Sequence, residues 1–242
     1  MTGRAPQSHE QPQPDPFAFT NFLMQQLVYA VELGAAEEVA KEEWRHQALH
    51  DQLTGLLHKR PFLDAANERL AVARPDQVFA MALIDLDNFK AVNDLHPDGH
   101  DEGDRVLATV GGVLLEKTRH DEVLPDLVAH GRRDDSGSSR LGGDEFAAFA
   151  ELEGRNERGE AMPAEEREAA FSNRLARELQ APFRNRPDLD ELNFGASVGI
   201  VLRHPGESAE QMLSRSDREL RVAKRLSRAR QKGGAYRTFQ LD

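Results

Sequence analysis

The pattern of apolar and polar residues along the chain predicts one long helix followed by a mixed α and β domain. Residues 17–50 contain no proline and carry apolar side chains at helical spacing, which predicts a helix on the order of 50 Å long. The apolar stripe of such a helix needs a cover, which is either its own domain or a second copy of the chain. The preceding residues 1–16 are rich in Pro, Gln and Ser and predict a disordered tail.

Residues 51–242 alternate between helical and strand-like blocks. Periodic apolar positions predict helices at Arg60–Ala73, Arg105–Leu115 and Glu165–Leu179, and a last helix that contains Arg215–Lys232. Short apolar runs predict strands at Val78–Ile84, after Glu145, at Asn193–Leu202 and, as a terminal edge strand, at Ala235–Leu241. Polar loops are expected at Thr118–Ser139 and Gly154–Ala164.

Two adjacent glycines, Gly142 and Gly143, stand before a pair of carboxylates, Asp144 and Glu145. Glycine adopts positive φ and lets a backbone or a ligand approach closely, so the pair predicts a tight hairpin turn. A further carboxylate, Asp85, follows the first predicted strand. Two adjacent strands could bring Asp85 and Asp144 together as the paired carboxylates that a Mg²⁺ site for phosphoryl transfer requires. The alternative is a solvated hairpin with acidic neighbours.

The charge of the chain limits its partners. Lys and Arg number 31 against 42 Asp and Glu, a formal charge of −11, which argues against a general binder of nucleic acid. Eight basic residues within Arg215–Lys232 form a local basic island that is suited to a triphosphate. Helical spacing in this segment predicts that Leu220 and Ala223 face the core, whereas Lys224 and Arg228 share a solvent-facing side. The absence of cysteine excludes disulfides and thiolate chemistry. No apolar run has the length of a signal peptide or a membrane span, so the expected compartment is the cytoplasm, without a membrane partner.

Five groups of residues resemble motifs of the GGDEF domain family of diguanylate cyclases, which join two GTP molecules into cyclic di-GMP. In chain order they are Asp51–Leu56, Asp85–Lys90, Asn93 and Asp94 with Gly99–Asp104, Arg140–Phe146, and Asp217, Leu220, Ala223, Lys224 and Arg228. The sequence departs from the family pattern at His58 and Lys59, at Ser227, and by two extra residues within Leu95–Asp98. Motifs in this order are far more specific than any one of them.

The resemblance implies an α+β domain over residues 51–242, with a central, mainly antiparallel sheet flanked by helices. The helix at residues 17–50 would precede it and serve dimerisation or signalling.

The resemblance also implies site residues. Asp85, the carbonyl of Leu86 and Asp144 would hold one or two Mg²⁺ ions, with Mn²⁺ as a substitute, and Glu145 would be a further ligand or a partner of the attacking hydroxyl. Substrate contacts are implied for Asn88, Phe89, Lys90, Asn93, Asp104, Gly143, Lys224 and Arg228. Asn93 and Asp104 would read guanine, because a carboxylate accepts hydrogen bonds from guanine N1–H and its exocyclic amine, a donor pair that adenine lacks.

Each domain would bind one GTP, whereas the product contains two, so the implied active unit is a homodimer, and an upstream sensor protein is a further expected partner. One alternative is a domain that binds GTP or cyclic di-GMP without catalysis and signals by protein contact. A cyclase that also uses ATP is less favoured because of Asp104. Arg132 and Asp135 form a shifted R-x-x-D, which is either an inhibitory product site or a charged loop, and the spacing favours the loop.

Overall fold

The computed structural model of the protein describes Met24, Tyr29 and residues 37–120, 137–152, 154–155 and 161–231, including their side chains except those of residues 117–120 and 228–231. The predicted tail, the shifted R-x-x-D of Arg132 and Asp135, and the predicted strand Ala235–Leu241 lie outside these residues. Contacts divide the chain into two units, Met1–Ala48 and Leu49–Asp242.

Helix α1, residues 37–49, is the described part of the long helix that the sequence predicts. Its apolar side chains Val39 and Trp44 are exposed. No helix in the described part of the chain is both long enough and apolar enough to span a membrane.

The second unit is built on a four-stranded antiparallel sheet in the order β2-β3-β1-β4. The strands are β1 (Val78–Asp87), β2 (Ser138–Gly142), β3 (Glu145–Leu152) and β4 (Gly195–Leu202). Residues 79–86 of β1 are all buried, which requires helices on both faces of the sheet. This arrangement confirms the predicted α+β class with its mainly antiparallel sheet.

Helices cover the two faces of the sheet. They are α2 (Lys59–Ala71), α3 (Phe89–Leu95), α4 (His100–His120), α5 (Ala164–Gln180), α6 (Pro187–Glu191) and α7 (Ala209–Gln231), with a 3₁₀ turn at Ala181–Phe183 between α5 and α6. Even-numbered residues of β1 pack in one cluster with α4 and α5, and odd-numbered residues pack in a second cluster with α2 and α7. The two-residue period of a strand therefore assigns each β1 side chain to one helix layer.

Several element ends differ from the sequence-based expectation. Strand β1 continues three residues beyond Ile84, so Asp85 lies within a strand, because the strand end pairs with β4 as far as Gly195. Helix α4 begins at His100 and reaches His120, so Arg105–Leu115 is only its centre. Acidic residues in its first turn, Asp101 and Glu102, favour the earlier start because their negative charges interact favourably with the positive N-terminal end of the helix dipole.

Backbone contact between α7 and β4 leads to a prediction about stability. A Cβ built at Gly199 would overlap backbone atoms of Ser216 and Leu220 on α7. Gly199→Ala should therefore lower the free energy of unfolding by about 2–3 kcal/mol, measured by chemical denaturation. Gly112→Ala is the matched control, because a Cβ there meets nothing within 4 Å and alanine favours a helix interior by roughly 0.5–1 kcal/mol. Equal stability of the two variants would contradict this packing.

Candidate active site

The pairing of β1 with β3 brings the predicted acidic residues together at one end of the sheet. Asp85 lies opposite Glu145, the first residue of β3. The amide of Leu86 donates a hydrogen bond to the carbonyl of Asp144 at 3.2 Å. The Asp85 side chain is only 10 % exposed, whereas Asp144 is half-buried and Glu145 is exposed. Carboxylates from two adjacent strands therefore converge on one small region.

Asp85 experiences opposing electrostatic effects. Burial raises the pKa of Asp85, the nearby charges of Asp144 and Asp87 raise it further, and the Lys224 ammonium, which lies 2.6 Å from Asp85 Oδ2, acts to lower it. The net shift of the pKa is upward, so Lys224 does not fully offset the combined effect of burial and the neighbouring negative charges. A buried carboxylate in this condition favours the approach of further positive charge.

Lys224 occupies a different place from the one that the sequence suggested. The helical pattern of α7 correctly predicts that Leu220 and Ala223 are buried. Lys224, however, does not lie on a solvent-facing side: its side chain is 30 % exposed and its ammonium contacts Asp85. Arg228 lies one turn further along α7, and its side chain is outside the described residues.

The donor set at this end of the sheet fits a divalent cation. Two carboxylates and a backbone carbonyl, from Asp85, Asp144 and Leu86, are oxygen ligands of the kind that Mg²⁺ and Mn²⁺ prefer. The Lys224 ammonium forms an ion pair with one oxygen of Asp85, so this carboxylate is positioned to bind positive charge.

Asp87 is a second acidic residue on the same face of β1, and the sequence analysis assigned it no role. Ser197 Oγ donates to both carboxylate oxygens of Asp87 at 2.9 Å, and Ser227 Oγ lies 3.5 Å from one of them. The two-residue period of a strand could have indicated Asp87, because residues 85 and 87 must share one face.

The Gly-Gly turn has the predicted hairpin form. Gly142 and Gly143 have φ values of 150° and 55°, both in the positive region that favours glycine. Arg140 holds the turn from one side, because its Nε and Nη2 donate to the Gly143 carbonyl at 3.0 and 2.8 Å. Its Nη1 donates to both carboxylate oxygens of Asp51 at 3.2 and 3.1 Å.

Asp51 is the anchor of this arrangement. Its Oδ1 accepts hydrogen bonds from the amide and the hydroxyl of Thr54 at 2.9 and 2.8 Å. Burial acts to raise the pKa of Asp51, but the hydrogen bonds from Thr54 and Arg140 outweigh burial and lower it. Asp51 and Arg140 belong to separate sequence motifs, and their separation of 89 residues leaves no local pattern that indicates the pair.

Asn93 of α3 packs against Gly103 of α4, the residue that precedes Asp104. A Cβ built at Gly103 would overlap the Asn93 side-chain oxygen and would lie 3.3 Å from the Phe89 ring. Only glycine at position 103 therefore permits this position of the Asn93 amide, and the next residue, Asp104, is exposed. The two extra residues within Leu95–Asp98 do not prevent this contact between α3 and α4.

The loop from β1 to α3 has a left-handed residue at its centre. Asn88 has φ 58° and ψ 22°, caps the N-terminus of α3, and donates from Nδ2 to the Asn193 carbonyl at 2.8 Å. Phe89 is half-buried and Lys90 is exposed. The structure thus places Asn88, Phe89 and Lys90 between the acidic residues of β1 and Asn93.

Comparisons with known proteins agree with these motifs. Residues 48–230 match the family described as "Diguanylate cyclase, GGDEF domain". The chain is 34% identical over 220 residues to an uncharacterized signaling protein of Caulobacter vibrioides. The aligned region covers 89% of this chain and 23% of that relative. It is 32% identical over 169 residues to the bifunctional diguanylate cyclase/cyclic di-GMP phosphodiesterase MucR of Pseudomonas aeruginosa. The aligned region covers 69% of this chain and 20% of that relative. The chain thus spans less than a quarter of the length of these two relatives.

A solved structure shares the fold. The GGDEF domain of DgcB from Caulobacter crescentus, in complex with c-di-GMP, superposes with a TM-score of 0.53 at 26% sequence identity. The match covers 74% of this chain and 91% of that domain.

Proposed function

Because this chain belongs to the GGDEF domain family, we propose that it is a diguanylate cyclase, which condenses two GTP molecules into cyclic di-GMP and two pyrophosphates. The observation that carries the proposal is the convergence of Asp85 on β1 with Asp144 in the turn before β3, with the pKa of Asp85 raised by burial and by neighbouring negative charge. Phosphoryl transfer needs such carboxylates because catalysis rests on positioning and on stabilising charge.

Each half of the reaction joins one GTP to the other. The 3'-hydroxyl of one GTP attacks the α-phosphate of its partner, a new P–O bond forms, and the bond to the β-phosphate breaks as pyrophosphate leaves. Asp85, the Leu86 carbonyl and Asp144 would hold Mg²⁺ or Mn²⁺, which would supply positive charge to stabilise the negative charge of the leaving pyrophosphate. Glu145 would accept the proton of the attacking hydroxyl or support the metal.

Substrate recognition would be divided between two groups of residues. The backbone at Asn88, Phe89 and Gly143, with the side chains of Lys90, Lys224 and Arg228, would contact the phosphates. Lys224 now pairs with Asp85, and its ammonium would contact a phosphate oxygen instead if that carboxylate held a metal ion. Asn93, and Asp104 next to the glycine that Asn93 contacts, would read guanine.

Two GTP-loaded domains must face each other, so the active unit would be a homodimer. Pairing of the helix at residues 17–50 would raise the effective concentration of one half-site for the other, and an upstream sensor protein would act through this helix. The cytoplasm supplies GTP and is the expected compartment.

One observation favours a second candidate function. Asp85 already has a cationic partner in Lys224, so the acidic site is partly satisfied without a metal ion. A domain that binds GTP or cyclic di-GMP without turnover and signals by protein contact is the alternative.

Incubation of the purified chain with GTP and Mg²⁺, followed by chromatographic separation of the nucleotides, tests the proposal. We expect cyclic di-GMP with two pyrophosphates per product, a rate per chain that falls on dilution because two half-sites must meet, and no product when the metal is chelated. Asp144→Ala provides the blank. Binding of GTP without product over a wide range of chain concentrations would favour the alternative instead.

A further inference from the structure

An extra turn of chain separates the two side chains that we propose read guanine. His96 and Asp98 belong to this turn, which carries the two residues beyond the family pattern. The Asp98 amide donates a hydrogen bond to His96 Nδ1 at 3.1 Å, and the Gly99 amide donates to the His96 carbonyl at 2.9 Å. The turn is therefore ordered by its own hydrogen bonds before it enters α4.

A buried carboxylate connects the extra turn to the rest of the domain. Glu102, in the first turn of α4, is only 2% exposed. Arg105 Nη1 donates to one of its oxygens at 2.8 Å, and Arg186 Nη2 donates to the other at 2.7 Å. Arg105 precedes the buried centre of α4, whereas Arg186 lies at the start of α6, so Glu102 ties two elements together.

The same two arginines extend the network to the extra turn. Arg105 Nη1 also donates to Asp98 at 2.8 Å, and Arg186 also pairs with Asp188. His96 Nε2 lies 3.1 Å from Asp188 Oδ2. Because the Asp98 amide can only donate, His96 Nδ1 accepts and Nε2 carries the hydrogen that it donates to Asp188. We call these six residues the Glu102 cluster: His96, Asp98, Glu102, Arg105, Arg186 and Asp188.

The Glu102 cluster is a network of ion pairs in which acidic and basic side chains alternate. Ligand atoms of His96, Asp98 and Glu102 lie within 4.8 Å of one another, a spacing that could hold a metal ion. The guanidinium groups of Arg105 and Arg186 already supply positive charge to these oxygens, and a buried carboxylate is tolerated when it is paired in this way. The hydrogen bond from Arg186 lowers the pKa of Asp188, which keeps that carboxylate ionised.

The Glu102 cluster adjoins the two residues that we propose read guanine, Asn93 and Asp104. Glu102 lies two residues before Asp104 on the same helical turn, and Gly103 between them packs against the Asn93 side chain. Holding Glu102 in place therefore fixes both Asp104 and the surface on which Asn93 rests. We propose that the Glu102 cluster positions Asn93 and Asp104 for guanine recognition, and that the extra turn is a working part of the base site. This inference rests on the proposed function.

Binding measurements with two nucleotides that cannot condense test this role. The 3'-deoxy forms of GTP and inosine triphosphate lack the attacking hydroxyl, and they differ only in the exocyclic amine that Asp104 would bind. The ratio of their dissociation constants, measured by calorimetry on the full chain, cancels contributions from the phosphates. We expect the parent to prefer the guanine nucleotide by about tenfold or more, because hydrogen bonds to a charged acceptor are the strong ones.

Variants of the Glu102 cluster should lose this preference. Glu102→Gln keeps the side-chain volume but removes the charge between two guanidinium groups, and it should lower the preference by about threefold or more. The double variant His96→Ala and Asp98→Ala, which leaves Glu102 intact, should lower it as well. Asp101→Asn is the matched control, because Asp101 is an exposed neighbour on the same turn of α4, and its preference should equal that of the parent.

Two results would overturn the inference in different ways. A lower melting temperature in both cluster variants with an unchanged preference would show that the cluster serves stability alone. Asp104→Ala, measured in parallel, tests the base site itself: if it also leaves the preference unchanged, the assignment of Asp104 to guanine is wrong, and the positioning role fails with it. A preference lost in Asp104→Ala but kept in the cluster variants would refute only the positioning role.

Discussion

Asp85→Asn is expected to abolish formation of cyclic di-GMP and, at neutral pH, to raise the melting temperature of the chain. Asparagine keeps the shape of the side chain but removes the charge that would hold a metal ion. That charge should be worth several kcal/mol in the transition state, so we expect the rate to fall by at least about a thousandfold. Chromatography of the nucleotides measures the loss.

The gain in stability follows from the direction of the pKa shift of Asp85. Burial and the charges of Asp144 and Asp87 raise this pKa despite the contact with Lys224. A carboxyl group with a raised pKa in the folded state contributes stability below its unfolded pKa, and that contribution is lost as the pH rises through the folded pKa. At neutral pH the ionised Asp85 therefore opposes folding, and asparagine removes this penalty.

A pH series of thermal unfolding curves checks this reasoning. The difference in melting temperature between Asp85→Asn and the parent should shrink as the pH falls toward about 4, because the parent then takes up the proton that the variant does not need. Asp101→Asn, at an exposed position, should leave activity unchanged and lower the melting temperature only slightly, because an exposed carboxylate contributes little through the helix dipole. A variant at position 85 that melts earlier and keeps its activity would identify the pair with Lys224 as a structural ion pair.

Local patterns predicted the body of the fold better than its element ends. The apolar run of β1 and the Gly142-Gly143 turn were both predicted correctly, because each is determined by residues that are neighbours in sequence. Two of the last three residues of β1, Asp85 and Asp87, are acidic, and they belong to the strand because other strands pair with them: β3 and β4 with Asp85, and β4 with Asp87. A pairing partner more than a hundred residues away gives no signal in a local window.

Long-range ion pairs in the site were also beyond sequence reasoning. The helical period of α7 predicts the buried side of the helix but not that Lys224 turns onto Asp85. Arg186 and Glu102 are 84 residues apart, and each alone resembles an ordinary surface charge. The motifs indicated which carboxylates matter, whereas the groups that hold them in place became visible only when the strands and helices were assembled.

Arg140 is the residue whose loss should most disturb the acidic turn without removing any of its carboxylates. Its guanidinium donates to both the Asp51 carboxylate and the Gly143 carbonyl. The Arg140 side chain is 16% exposed and the Asp51 side chain is 20% exposed. Arg140→Ala leaves both acceptors without their donor, so the free energy of unfolding should fall by about 2–4 kcal/mol. Chemical denaturation measures the loss.

A surface arginine with the same type of partner provides the control. Arg60 pairs with Asp64 on α2 at 3.0 Å, and the two side chains are 86% and 53% exposed. Because an exposed ion pair contributes little, Arg60→Ala should change stability by less than about 0.5 kcal/mol. Similar losses in Arg140→Ala and Arg60→Ala would mean that the contacts of Arg140 with Asp51 and Gly143 do not support the fold.

Turnover distinguishes a positioning role of Arg140 from a purely structural one. Gly143 immediately precedes Asp144, so release of its carbonyl frees the turn that carries Asp144 and Glu145. A displacement of about 1 Å in a reacting group can reduce a rate a hundredfold, so we expect Arg140→Lys, which has no planar fork to span both acceptors, to lower kcat by about tenfold or more. The KM for GTP should rise less than kcat falls, because Gly143 is the only proposed GTP contact in this turn and the others lie on other elements. If kcat per folded chain equals that of the parent, the glycine backbone alone holds the turn, and Arg140 serves only to attach Asp51.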